Sequence, residues 1–75
     1  MKMFVIEAYG GLHADGPICR FTVLAETLSE ALDYVRDTPR AQGLDRFEVV
    51  EETPEYDSDT SGVIRQEDGA HAKTL

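Results

Sequence analysis

Thr27-Leu28-Ser29-Glu30 opens the one stretch of this chain with helical periodicity, and it sits between runs that alternate as strands do. Thr followed three residues later by Glu is a capping box: the Thr27 hydroxyl accepts from the Glu30 amide, and the Glu30 carboxylate reaches back to the Thr27 amide. Leu28, Ala31, Leu32 and Val35 then recur at helical spacing and form an apolar stripe, with Glu30, Asp33, Arg36 and Asp37 on or near the polar side. Pro39 disfavours helical angles at Thr38 and Gly43 suits a stop, so the helix ends near residue 37 or adds a ragged turn to Gln42.

The flanking runs are rich in β-branched and aromatic residues. Met3 to Tyr9 reads as a strand with Phe4, Ile6 and Ala8 on one face, and Gly10-Gly11 begins a connection that runs to Pro17. Ile18 to Ala25 reads as a second strand, with Cys19, Phe21, Val23 and Ala25 sharing a face. After the helix, Arg46 to Glu52 reads as a third, with Phe47 and Val49 inward.

A helix between the second and third strands is a crossover, which makes those two strands parallel and places the first between them. The expected fold is therefore a small α+β domain, ββαβ, with one helix packed on a three-stranded mixed sheet of order 2-1-3. Its expected core is Phe4, Ile6, Phe21, Val23, Leu28, Leu32, Val35, Phe47 and Val49. The other sheet face mixes Val5, Tyr9, Thr22, Leu24 and Val50 with Glu7, Arg20 and Glu48. Residues 1–53 make the domain. Residues 54–75, poor in large apolar side chains, read as a flexible acidic C-terminal tail in which Gly62 to Gln66 can add a short fourth strand.

At 75 residues this is one domain with a small core, which buries only about 60% of its unfolded surface. Fifteen Asp and Glu against seven Lys and Arg give a net charge of −8, with nine of the acids between Asp45 and Asp68 against two bases, Arg46 and Arg65. Such a chain repels phosphate, which argues against direct nucleic-acid binding and against anionic membranes. A lone cysteine allows no internal disulfide. The apolar run Met3 to Ile6 is too short for a signal peptide, and no run approaches the roughly 20 apolar residues of a membrane span, so a cytoplasmic location is expected.

Asp57-Ser58-Asp59-Thr60-Ser61-Gly62-Val63-Ile64-Arg65-Gln66-Glu67-Asp68 carries oxygen side chains at positions 1, 3 and 5, glycine at 6, an apolar residue at 8 and a carboxylate at 12. That is the skeleton of a calcium loop, and Asp at the last position looks like the loop of dockerin-type modules. Pro54 and the nearby end of the sequence leave no room for the two flanking helices of an EF-hand, so a solvated turn is the favoured reading. His13, Asp15, Cys19 and His71 fit no close-paired zinc spacing. Cys19 lacks a neighbouring base, and Glu51, Glu52 and Glu55 read as a solvated run rather than a catalytic acid pair. The expectation is a protein that is not an enzyme, with no metal and no cofactor.

The string Thr27-Leu28-Ser29-Glu30-Ala31-Leu32, preceded by two strands, resembles the strand-to-helix element of HicB-like antitoxins across about residues 21–36. The resemblance implies the same local structure, and an antitoxin-like regulator as one alternative function. The expected function is a small acidic protein-protein interaction module that binds or inhibits a basic partner protein. Glu48, Glu51, Glu52, Glu55, Asp57 and Asp59 form its steering surface, with Tyr56 as an aromatic anchor. The other alternative is a calcium-binding module through residues 57–68. The half-apolar second sheet face allows a homodimer.

Overall fold

The computed structural model describes residues 1–10 and 18–68. Most of the expected 10–17 connection and residues 69–75 of the expected tail lie outside the described residues, as do His13, Asp15 and His71. Among the described residues the chain forms β1 (Lys2–Tyr9), β2 (Cys19–Ala25), α1 (Leu28–Arg36), a 3₁₀ turn (Pro39–Ala41), β3 (Arg46–Thr53) and β4 (Gly62–Asp68).

Alternation sets the floor of the domain. In the β1–β2 ladder Phe4 lies opposite Val23, Ile6 opposite Phe21 and Ala8 opposite Cys19, and all six side chains are buried. Directly opposed residues in a ladder share a face, so these pairs form one apolar layer. Ala25, Ala31, Val35 and Ala41 close over it, and Ile18, Leu32, Tyr34, Leu44, Phe47 and Val63 pack around its rim.

The capping box forms with one change. The Glu30 amide donates to Thr27 Oγ1 at 3.2 Å, but the Glu30 carboxylate accepts from the Glu26 amide at 2.8 Å instead of the Thr27 amide. At the other end Pro39 holds Thr38 extended (ψ 142°), and the Thr38 hydroxyl donates to the Val35 carbonyl at 2.7 Å.

The sheet is four-stranded, in the order β3-β1-β2-β4, and every neighbouring pair is antiparallel. The expected 2-1-3 order is contained in it, with β2 and β3 pointing the same way on either side of β1. The expectation of a mixed sheet is corrected, because those two like-directed strands are never neighbours. β4 extends to Asp68, beyond the expected Gly62 to Gln66, so part of the stretch read as tail is a sheet edge. Gly62 begins it at φ 125°, a conformation that favours glycine. Three strand spacings, about 14 Å, separate β3 from β4. Residues 54–61 make that crossing, tied by the Tyr56 amide to the Met1 carbonyl at 2.8 Å and by Tyr34 Oη to Ser61 Oγ at 2.9 Å.

Two expected core residues are corrected. Leu28 is 41% exposed because it opens the helix at the rim, and Val49 is 38% exposed because α1 packs on β2 and β4 and leaves β3 largely uncovered. Phe47 and Leu32 are only partly buried. Phe21→Ala is expected to cost about 3–5 kcal/mol, most of the stability of so small a domain, and Leu28→Ala no more than about 0.5 kcal/mol. Urea unfolding of the two variants checks this, and a Phe21→Ala protein as stable as the parent would overturn the core.

Candidate functional site

The face away from α1 is built from residues that alternate with the core. Register aligns them in rows across the sheet. Glu48 of β3 lies opposite Glu7 of β1, Glu7 opposite Arg20 of β2, and Arg20 opposite Glu67 of β4. The next row runs Glu51, Val5, Thr22, Arg65, and a third pairs Arg46 with Tyr9. At the far end Leu24 lies between Met3 and Gly62, where the 54–61 connection crosses the sheet, and it is only 3% exposed.

Glu7 is the pivot of this face. It is 9% exposed, and a carboxylate that far from water needs a partner. Arg20 supplies it, with Nη2 donating at 2.6 Å and Nε at 3.2 Å to the same Glu7 oxygen, while the Tyr9 hydroxyl donates to the other at 3.4 Å. The hydrogen bond to Glu7 raises the Arg20 pKa, desolvation opposes it, and the charges of Glu7, Glu67 and Glu51 reinforce it. Arg46 stacks over the Tyr9 ring at 4.4 Å and reaches Glu48 at 4.0 Å. Arg65 holds Glu67 at 3.3 Å.

Among the residues singled out in the sequence, Glu48 and Glu51 end two of these rows at the β3 edge. Glu52 lies opposite Phe4 and so belongs to the α1 side, 3.9 Å from Lys2. Glu55, Tyr56, Asp57 and Asp59 are exposed on the 54–61 connection. They form a strip along one edge and around one end of the sheet, divided between its two faces. The row Glu48, Glu7, Arg20, Glu67 was missed as a unit, although alternation already assigns Glu7, Arg20 and Glu48 to one face.

The twelve residues 57–68 are divided as well. Ser58 closes a local turn, with its hydroxyl accepting from the Thr60 amide at 3.2 Å, and Gly62–Asp68 is an extended strand paired to β2. Six steps of about 3.3 Å carry the chain roughly 20 Å from Gly62 to Asp68. The residue at the twelfth position therefore stands well away from Asp57 and Asp59, whereas a calcium loop folds back to meet its first ligands. Among the described residues no group of three His, Cys, Asp or Glu stands close enough to hold a metal ion, and no helix is long and apolar enough to cross a membrane.

No protein-family model, curated protein or solved structure matches the chain.

Two outcomes are expected. Desolvation first, then the charges of Glu48 and Glu7 and the hydrogen bond to Glu7, raise the Tyr9 pKa, and Arg46 opposes them. A raised folded-state value means that Tyr9 adds stability in full below its unfolded value of about 10 and loses it as pH rises through the folded value. Phenolate absorbance, corrected with Tyr9→Phe, should titrate above the ordinary range and move higher still in Arg46→Ala. Calcium titration should leave the amides of residues 57–68 unshifted, and saturable shifts confined to them would restore a calcium loop.

Proposed function

We propose that this protein is a non-catalytic protein-binding module that docks a basic partner through the carboxylates of β3 and of the connection after it. The observation that supports this reading is the combination found on β3. It is a sheet edge, its Glu48, Glu51 and Glu52 are exposed, and Val49 and Val50, 38% and 49% exposed, lie among them. Exposed apolar groups set among carboxylates, of which Glu48 and Glu52 reach Arg46 and Lys2 only at 4.0 and 3.9 Å, are the composition of a docking patch rather than of a surface that only needs to stay soluble.

The charge acts before contact. A net charge of −8 with its acids concentrated beside one edge raises the encounter rate with cationic surfaces and repels phosphate. Val49, Val50 and Tyr56 then supply the apolar contact that long-range charge cannot. The partner on this reading is a protein with an exposed basic segment, not nucleic acid and not a membrane.

Selection from a displayed library of random peptides tests the reading. Lys- and Arg-rich peptides should be enriched, and their binding should weaken as salt rises. Exposed ion pairs contribute about 0.2–1 kcal/mol each, so the combined Glu51→Gln, Glu52→Gln, Glu55→Gln variant should lose about tenfold in affinity and show a flatter salt dependence. Peptides without a basic bias, or unchanged affinity in the variant, would overturn it.

A further inference from the structure

The rows of the open face end differently at the two edges of the sheet. At β4 they end in Glu67 and Arg65, one charge of each sign. At β3 the first two end in Glu48 and Glu51, both acidic, and the third in Arg46, which stacks on Tyr9 and stands 4.0 Å from Glu48. The opposite face of β3 differs again, since Phe47 and Val49 lie across from Ala8 and Ile6 on the side where α1 leaves the strand largely bare. A strand laid along the outside of β3 from Phe47 to Glu51 would thus meet Glu48 and Glu51 on one face and, on the other, Val49 and Phe47, the latter beneath Arg36 of α1. Successive residues of a strand point to opposite faces.

From this we infer that β3 takes up its basic partner as an added fifth strand, and that the segment it recognises is extended and alternates basic with apolar residues. The inference rests on the proposed protein-binding reading and deepens it by naming the mode of binding. Lys or Arg opposite Glu48 sets a cation beside the adjacent carboxylates Glu48 and Glu7, the second of which Arg20 already holds. A second cation lies opposite Glu51 in the next row. An apolar residue between them covers Val49, and one beyond the first cation meets Phe47. Main-chain bonds to the outer edge, which no strand among the described residues occupies, supply affinity, and the alternating side chains supply selectivity.

The same charges argue against a second copy of the chain at this edge. Antiparallel self-pairing about Glu48, within the regular stretch Arg46–Val49, would set Glu48 against Glu48 of the other copy, and like charges directly opposite each other destabilise a ladder. The register irregularity between Val5 and Ile6, which leaves Val50 without a β1 partner, confines the regular outer edge to Arg46–Val49 and Glu51–Thr53. The added strand is therefore short, and it bonds chiefly along the first of these stretches, where Phe47, Glu48 and Val49 follow Arg46, whose guanidinium lies over Tyr9.

The test uses the full chain with the synthetic peptide Val-Lys-Val-Lys-Val-Lys, followed by amide NMR. The expected result is saturable binding, shifts concentrated on β3, and cross-strand contacts between peptide and β3 amides. A block peptide, Val-Val-Val-Lys-Lys-Lys, should bind at least about tenfold more weakly, and alternate N-methylation in one of its two phases should abolish binding. The Glu48→Lys, Glu51→Lys variant should exchange its preference for Val-Glu-Val-Glu-Val-Glu. Equal binding of alternating and block peptides, or binding indifferent to N-methylation in either phase, would overturn strand addition while leaving the basic-partner reading intact. Contacts on β4, or a dimer in place of a peptide complex, would overturn it too. If no basic peptide binds here or in the library selection, the underlying reading fails with it.

Discussion

The β1–β2 ladder carries the rest of the molecule. Phe4, Ile6 and Ala8 face Val23, Phe21 and Cys19 across it, and nothing else among the described residues brings so much apolar surface together at one place. Burying a large side chain completely contributes about 1.5–3 kcal/mol, so these pairs are the main term available to offset the entropy of ordering a short chain. The other elements depend on this floor in turn. β3 and β4 bond to its two edges, and α1 rests on one face through Ala31 and Val35, residues small enough to bring the helix close.

Because α1 packs over β2 and β4, the sheet is covered unevenly. β3 is almost wholly exposed, and it owes its place to backbone bonds with β1 more than to side-chain burial. Register irregularities interrupt both edge strands, one beside Val50 and one beside Ile64. Such irregularities are a common protection against indiscriminate edge pairing. On β3 the irregularity stands beside the exposed carboxylates Glu48, Glu51 and Glu52.

The open face shows how a buried acid shapes a surface at some distance. Glu7 is held out of water by its position in the central strand, and Arg20 and Tyr9 satisfy it there. With Arg20 committed to Glu7, the negative charge of Glu48 across the ladder is left to Arg46, which reaches it only at 4.0 Å while stacking on Tyr9. The row therefore ends at the sheet edge in incompletely compensated negative charge.

Alternation and helical spacing are local properties, and they were legible in the chain: Phe4, Ile6, Phe21 and Val23 as one layer, Thr27 and Glu30 as a cap, β1 between β2 and β3. The acids of the candidate strip could be named from the same reading. What local pattern does not contain is where the helix comes to rest and which strands become neighbours. Leu28 and Val49 continue apolar stripes that look inward, yet α1 settles toward β4 and leaves both in solvent. β4 itself is mostly polar, and its strand character comes from hydrogen bonds to β2, a partner some forty residues away in sequence. The division of Glu48 and Glu51 from Glu52, and the alignment of Glu48, Glu7, Arg20 and Glu67 in one row, follow from register. Register is a relation between strands, decided when the β1–β2 core closes and the edge strands bond to it, so only the tertiary structure could supply it.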